Sequence, residues 1–136
     1  MTQSSIDPQS RVRYADDLIA QTADQLAALL KEAALQLRPF PPFPGAFFTY
    51  GVEVEAEGVL DKNIGCVVVS QEGDLKEFQI SLDAEEPGFG PGDPVSMRDE
   101  HLVDLELTPH DRLLFAYQGL RVISDLLRAA RAAAPE

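Results

Sequence analysis

The stretch FFTYGVEVEAEGVLDKNIGCVVVSQEGDLKEFQISL, residues 47–82, predicts three antiparallel strands joined by short turns. From residue 48 to residue 57 apolar and polar side chains alternate, and glutamates occupy polar positions 53, 55 and 57. Because successive strand side chains point to opposite faces, this alternation predicts a strand with one buried face. Residues 64–70 are apolar on both faces and rich in valine, which favours a central strand.

The third strand of this meander, residues 75–82, again alternates between apolar and polar side chains. We expect its apolar side chains to face the core, namely Phe78, Ile80 and Leu82. Its polar side chains, Glu77 among them, would then face solvent. Gly73 can adopt the positive φ that a tight hairpin turn before this strand requires.

Helical periodicity precedes and follows the strands in the sequence. The Asp-Pro pair at residues 7–8 starts a helix that the spacing of apolar side chains extends over residues 8–37. At 1.5 Å per residue such a helix is about 45 Å long, more than the width of a small domain. We therefore expect it to break or to pack partly on another chain. The Thr-Pro pair at residues 108–109 starts a second helix, predicted over residues 109–133.

The remaining segments complete one predicted domain of 136 residues. Residues 101–107 alternate and predict a fourth strand, whereas residues 83–97, rich in Gly, Pro and acids, predict a mobile loop. We expect residues 1–7 to be a disordered tail and residues 46–82 to hold the meander. This order predicts an α+β two-layer sandwich, in which a four-stranded antiparallel sheet carries the long N-terminal and C-terminal helices on one face.

The net charge of −12 is concentrated in the strands and their connections. Residues 39–107 carry three basic and fifteen acidic side chains. A negative field of this size disfavours binding to nucleic acid and to anionic membranes. The sequence shows neither a signal peptide nor an apolar run long enough to span a membrane. Because Cys66 is the only cysteine, no disulfide can form within one chain, and we expect a cytoplasmic location.

The sequence carries no motif of a known reaction. Cys66 lies in the valine-rich strand, where we expect a packed and inert thiol. The glycines of residues 83–97 lack the Lys and Ser/Thr of a phosphate-binding loop, and the acids there lack the spacing of a calcium-binding loop. We therefore expect no cofactor and favour a function without catalysis.

One interpretation of the charged residues is a surface for a protein partner. With both helices on the apolar side of the sheet, the opposite face would present a set of acids, namely Glu53, Glu55, Glu57, Glu77, Asp104 and Glu106. Such a face would hold a basic or partly unfolded protein segment, as an adaptor or a chaperone-like protein does. The layout of terminal helices around an antiparallel sheet resembles that of small acidic secretion chaperones. The broad apolar arc of the second helix further predicts a homodimer.

The other interpretation is a small-molecule or metal-binding domain, or an enzyme, built from residues 101–111 and the loop at residues 83–97. Imidazole and carboxylate ligands suit a divalent metal, and the candidates are Asp99, His101, His110 and Asp111. Strand alternation places His101 and Asp104 on opposite faces, which works against convergence on one ion. His110 beside Asp111 is also typical of a helix start.

Overall fold

The computed structural model describes residues 7–46, 48–82 and 98–133. The elements, in chain order, are α1 (Pro8–Gln36), β1 (Val52–Val54), β2 (Cys66–Val69), β3 (Leu75–Leu82), β4 (Arg98–Asp104) and α2 (Pro109–Ala133). The strands form one antiparallel sheet in the order β1-β2-β3-β4. The predicted α+β class, with two long helices flanking a four-stranded sheet, is confirmed. The predicted loop at residues 83–97 and all but Asp7 of the predicted tail lie outside the described residues.

Both helices begin where their capping residues predict. The Asp7 carboxylate accepts a hydrogen bond from the Gln9 amide, and Pro8 follows at the first helical position. At the other end of α1, the Ala34 carbonyl oxygen accepts from the Leu37 amide, and Arg38 donates to the carbonyl oxygens of both Ala34 and Leu37. Within the described ranges, neither helix is apolar enough over sufficient length to cross a membrane.

The two helices run side by side in the same direction. Arg112 of α2 forms an ion pair with Asp24 of α1, and two turns further along Gly119 packs against Leu30. A Cβ atom at position 119 would lie 3.2 Å from Leu30 Cδ2 and 3.1 Å from Val69 Cγ2. Glycine at this position therefore lets α1, α2 and β2 approach closely.

The core lies between this helix pair and the β1–β2 half of the sheet. Val52 pairs with Val69 and Val54 pairs with Val67, so all four valines share the face that the helices cover. They pack with Leu30, Phe115 and Ile123, among others. Burial of apolar side chains from both layers is what holds the sheet against the helices.

The predicted facing of β3 is wrong. Leu75 pairs with Val69 across the hairpin and therefore shares the helix side of the sheet. Glu77 takes the same face. Phe78 lies opposite Cys66 and points to the other side of the sheet, away from the helices, which we call the outer face. The register of the hairpin at residues 70–74 decides this facing, and a shift of one residue moves every side chain of a strand to the other side.

The outer face is partly covered by the proline-rich segment, residues 38–50. Phe43 of this segment stacks on Phe78, with ring centroids 4.5 Å apart. Thr49 Oγ1 donates to Glu100 Oε1 at 2.8 Å, which ties the segment to β4. Val68, on the same outer face, is fully buried beside Gly51. The outer face, predicted to present acids, is therefore partly covered, because Phe43 supplies apolar cover on that side.

The fourth strand lies earlier than the predicted residues 101–107. It is β4, Arg98–Asp104, because β3 offers pairing partners from Leu82 back to Lys76. Beyond the Lys76–Asp104 pair only Leu75 of β3 remains before the hairpin turn, and the ladder between β3 and β4 ends. Leu105 and Leu107 then pack against the core without belonging to the strand.

Candidate functional site

An open depression of about 790 Å³ lies at the end of β1 and β2. Residues 53–57, 59, 61, 62 and 64–67 line it, together with Phe115 and Gln118 of α2. Four carboxylates and one lysine make up its charged lining: Glu53, Glu55, Glu57, Asp61 and Lys62. Its apolar lining comes from Val54, Ala56, Val59, Ile64, Val67 and Phe115. We call this feature the acidic depression.

The carboxylates of the acidic depression have no cationic partner within the described part of the chain. Lys62, the lysine of the lining, donates to the carbonyl oxygen of Val59 at 2.9 Å rather than to a carboxylate. Asp61 accepts a hydrogen bond from the Asn63 amide, and Glu53 lies 3.6 Å from the Cys66 thiol. The negative charge of the depression is therefore left for a partner or for solvent.

A second depression, of about 610 Å³, differs in its charge balance. It lies between α1, the β2–β3 turn and the end of β4, and three of its lining residues are aspartates. Each aspartate pairs with a base: Asp24 with Arg112, Asp74 with Lys31, and Asp104 with Lys76. Because its charges are compensated internally, this second depression offers less attraction to an ionic ligand.

The acidic depression owes its shape to a buried carboxylate, that of Asp111. Asp111 is 1% exposed at the start of α2. Its Oδ1 accepts from the Leu60 amide at 2.9 Å and its Oδ2 accepts from the Asp61 amide at 3.1 Å. His110 Nδ1 lies 3.0 Å from the same carboxylate. Asp111 thus holds the β1–β2 connection against the first turn of α2.

The hydrogen bonds to Asp111 favour its ionised form. Burial alone raises the pKa of a carboxyl group, but the Leu60 amide, His110 and the Asp61 amide together lower the pKa of Asp111 below its ordinary value. The carboxylate is therefore charged at neutral pH. Its hydrogen-bond partners among the described residues are two backbone amides and His110, which indicates a structural role.

Cys66 borders the acidic depression and has the properties of an unreactive thiol. Burial raises the pKa of Cys66 to about 11, with further contributions from Glu53, Glu55 and Glu77. Only the thiolate is nucleophilic, so at neutral pH almost no Cys66 is in the reactive form. The acids that surround the thiol therefore act against nucleophilic catalysis.

Alkylation of Cys66 by iodoacetamide is expected to be slow at neutral pH and to accelerate as the pH approaches about 11, the pKa of the thiol. Glu53→Gln should lower this pKa and speed the reaction, because it removes a negative charge beside the sulfur. Mass spectrometry of the labelled protein over a pH series measures the rate. The urea-unfolded chain is the control, since its thiol returns to an ordinary pKa of about 8.5. Equal rates for folded and unfolded protein would contradict the expectation.

The six acids predicted to share one sheet face are divided by the structure. Glu53, Val68, Lys76 and Asp104 form one row across the outer face. Lys76 bonds Asp104 at 3.1 Å, so Asp104 is neutralised and Lys76 separates it from Glu53. Glu55 follows the end of β1, two residues after Glu53, and is exposed.

Glu77, by contrast, lies on the helix side of the sheet. Its Oε2 accepts from the Gly65 amide at 2.6 Å and its Oε1 accepts from Gln79 Nε2 at 2.7 Å. Glu57 and Glu106 lie outside the strands. Of the predicted set, therefore, the acidic depression gathers three members, namely Glu53, Glu55 and Glu57.

Asp61 is the fourth carboxylate of the acidic depression, although the sequence around it predicts only a turn. The run Asp61, Lys62, Asn63 predicts a reversal of the chain, and the Asn63 amide does donate to Asp61 Oδ1 at 2.9 Å. The antiparallel pairing of β1 with β2 brings this turn near the end of β1. Asp111 then fixes the turn through the amides of Leu60 and Asp61, a contact that the spacing does not show.

The predicted metal ligands form two pairs. His101 Nε2 lies 2.8 Å from Asp99 Oδ2 on β4, and His110 pairs with Asp111 at the start of α2. Among the described residues, no three His, Cys, Asp or Glu side chains are grouped so that they could hold a metal ion. A stable site needs more ligands than such a pair supplies.

Comparison of the chain with protein-family models, with curated proteins and with solved structures gives no match.

Proposed function

We propose that this chain is a non-enzymatic, acidic cytoplasmic binding protein, an adaptor or chaperone-like homodimer that holds a basic or partly unfolded protein segment. The observation that supports this proposal is the acidic depression, whose carboxylates have no cationic partner in the described part of the chain. The rest of the predicted acidic face is not part of the site, since Lys76 neutralises Asp104 and Glu77 lies on the other face.

The chemistry of the depression matches the side chains of lysine and arginine. Its charged lining attracts a cation, while the half-buried Ala56, Val59 and Ile64 offer apolar surface for the aliphatic part of the same side chain. Basic residues interleaved with apolar ones, as exposed in a partly unfolded segment, satisfy both kinds of lining. The site is open and charged rather than enclosed and apolar, which favours a peptide over a small apolar ligand.

The proposal is tested by fluorescence anisotropy with a labelled peptide in which lysine and leucine alternate. We expect binding at low ionic strength and weaker binding at high ionic strength, because exposed charges are screened by salt. A peptide with glutamate in place of lysine should not bind. Failure of the lysine peptide to bind at low ionic strength would overturn the proposal.

A matched pair of variants separates the site from the net charge. Glu55→Gln with Glu57→Gln removes two carboxylates of the acidic depression, whereas Glu32→Gln with Glu72→Gln removes two exposed carboxylates outside its lining. Both double variants change the net charge equally. We expect the first to weaken peptide binding about tenfold and the second to weaken it less than about twofold. Equal losses of affinity in the two double variants would show that the peptide responds only to the net charge of the protein.

A further inference from the structure

The first three turns of α1 project beyond the body of the protein. Every residue from Pro8 to Leu18 is exposed, and Ile19 is half-buried. We call residues 8–19 the α1 arm; at 1.5 Å per residue it is about 18 Å long. Most of the stability of a helix in water comes from packing its apolar face against other elements. Within one protomer the α1 arm lacks this packing.

The α1 arm presents the same side of the helix that packs on α2 further along. Val12 and Ile19 are separated by seven residues and fall on one stripe with Ala23, Leu30 and Ala34, which are buried. Val12 is nevertheless 60% exposed, because the arm extends beyond the start of α2. An apolar stripe that is covered at one end of a helix thus continues uncovered at the other end.

The charges of the α1 arm are balanced, unlike those of the rest of the chain. It holds two arginines, Arg11 and Arg13, and two aspartates, Asp16 and Asp17. None of the four takes part in an ion pair with another described residue. With a net charge of −12 on the whole chain, two copies repel each other least where the local charge is zero.

We propose that two copies of this chain pair through the α1 arm in antiparallel orientation, with Val12 of one copy against Ile19 of the other. This proposal rests on the homodimer of the proposed function and names its surface. Two-fold symmetry makes both Val12–Ile19 contacts equivalent and requires a self-complementary patch.

The charge pattern of the α1 arm fits this symmetric pairing. Arg13 and Asp16 lie on the same flank of the apolar stripe, at about 100° and 40° from Val12 around the helix. With Val12 opposite Ile19 in the other copy, Arg13 and the second copy's Asp16 differ by about 3 Å along the axis, within reach of an arginine side chain. The two Asp16 residues differ by about 1.5 Å along the axis, so each arginine also offsets the repulsion between them. Two equivalent ion pairs then flank the apolar contact. A basic segment would find no such match, since the arm carries no net charge.

The oligomeric state of the full chain in solution tests the proposal, measured by light scattering and sedimentation velocity over a range of concentrations. We expect a dimer that Val12→Asp converts to a monomer, since the substitution places a charge in the apolar contact. Tyr14→Asp is the matched control, because Tyr14 is 67% exposed on the opposite side of the arm. It should leave the dimer intact. A monomeric native chain, or equal loss of the dimer in both variants, would overturn the proposal.

A charge exchange tests the antiparallel geometry separately. Arg13→Asp should weaken the dimer about tenfold, because it replaces two ion pairs by two repulsions. Adding Asp16→Arg should restore the affinity, since the pairs re-form with reversed sign. Absence of rescue, with both variants folded by circular dichroism, would overturn the pairing. Peptide binding by the Val12→Asp monomer reports on the acidic depression alone, so the two proposals fail separately.

Discussion

Asp111→Ala is expected to lower the free energy of unfolding by about 3 kcal/mol. The substitution leaves the amides of Leu60 and Asp61 without the acceptor that now binds them at 2.9 and 3.1 Å. Hydrogen bonds to a charged acceptor are stronger than neutral ones, and the alanine removes two of them together with the anchor of the β1–β2 connection. Urea unfolding followed by circular dichroism measures the loss.

Two further variants identify the cause of that loss. Asp125→Ala, on the exposed side of the same helix, should cost less than about 0.5 kcal/mol, because exposed ion pairs contribute little. His110→Ala removes one partner of Asp111 and leaves both backbone bonds in place, so its cost should be intermediate. A loss for Asp111→Ala no larger than that for Asp125→Ala would contradict the anchoring role.

The contribution of Asp111 should depend on pH in a definite direction. Because its pKa is lowered in the folded protein, the carboxylate stabilises the fold above the ordinary carboxyl pKa of about 3.9. That stability is lost as the pH falls through the lowered pKa of the folded state. The difference in unfolding free energy between the native chain and Asp111→Asn should therefore be largest near neutral pH and shrink in acid. A difference that grows in acid would contradict this assignment.

Leu30→Ala is expected to cost about 3 kcal/mol, whereas Leu29→Ala should cost no more than about 0.5 kcal/mol. The two leucines are adjacent in sequence, yet Leu30 is 1% exposed and Leu29 is 48% exposed. Truncation of Leu30 removes apolar contacts with Gly119 of α2 and leaves a cavity between the helices. Truncation of Leu29 mainly shortens a side chain in water. Thermal and urea unfolding of both variants measure the difference.

A double-mutant cycle of Leu30→Ala and Gly119→Ala tests whether the cavity left by Leu30 lies against Gly119. In the native chain a methyl group at position 119 would meet Leu30 Cδ2 at 3.2 Å and Val69 Cγ2 at 3.1 Å, which is crowded. In the Leu30→Ala background the first of these contacts disappears. Gly119→Ala should therefore be more favourable in that background than in the native chain, by about 1 kcal/mol. Equal effects in both backgrounds would show that the two positions are not in contact.

Local chemistry in the sequence determined the helices and the class of fold. The Asp-Pro and Thr-Pro pairs set the starts of α1 and α2, because a cap and a proline act within one turn of the chain. Helical and strand periodicities set the order of elements, since each is read from neighbours a few residues apart. The class of fold follows from that order alone.

The candidate site depended on relations that no local pattern contains. The glutamates at positions 53, 55 and 57 were evident as acids, but the position of Asp61 beside them also depends on the connection that Asp111 anchors from about 50 residues away. The exclusion of Glu77 and the neutralisation of Asp104 follow from the pairing of β3 with its neighbours. Each of these features depends on a contact between segments that are distant in sequence.

The sequence by itself therefore determined which elements form, where the helices begin and where the negative charge is concentrated. Only the tertiary structure decided which faces Leu75, Glu77 and Phe78 take, that the proline-rich segment partly covers the outer face, and which of the described carboxylates stay without a cation among the described residues. The physical reason is that alternation defines two faces of a strand but does not say which one is buried. That choice belongs to the hairpin register, to Phe43 on Phe78 and to Asp111 on the β1–β2 connection.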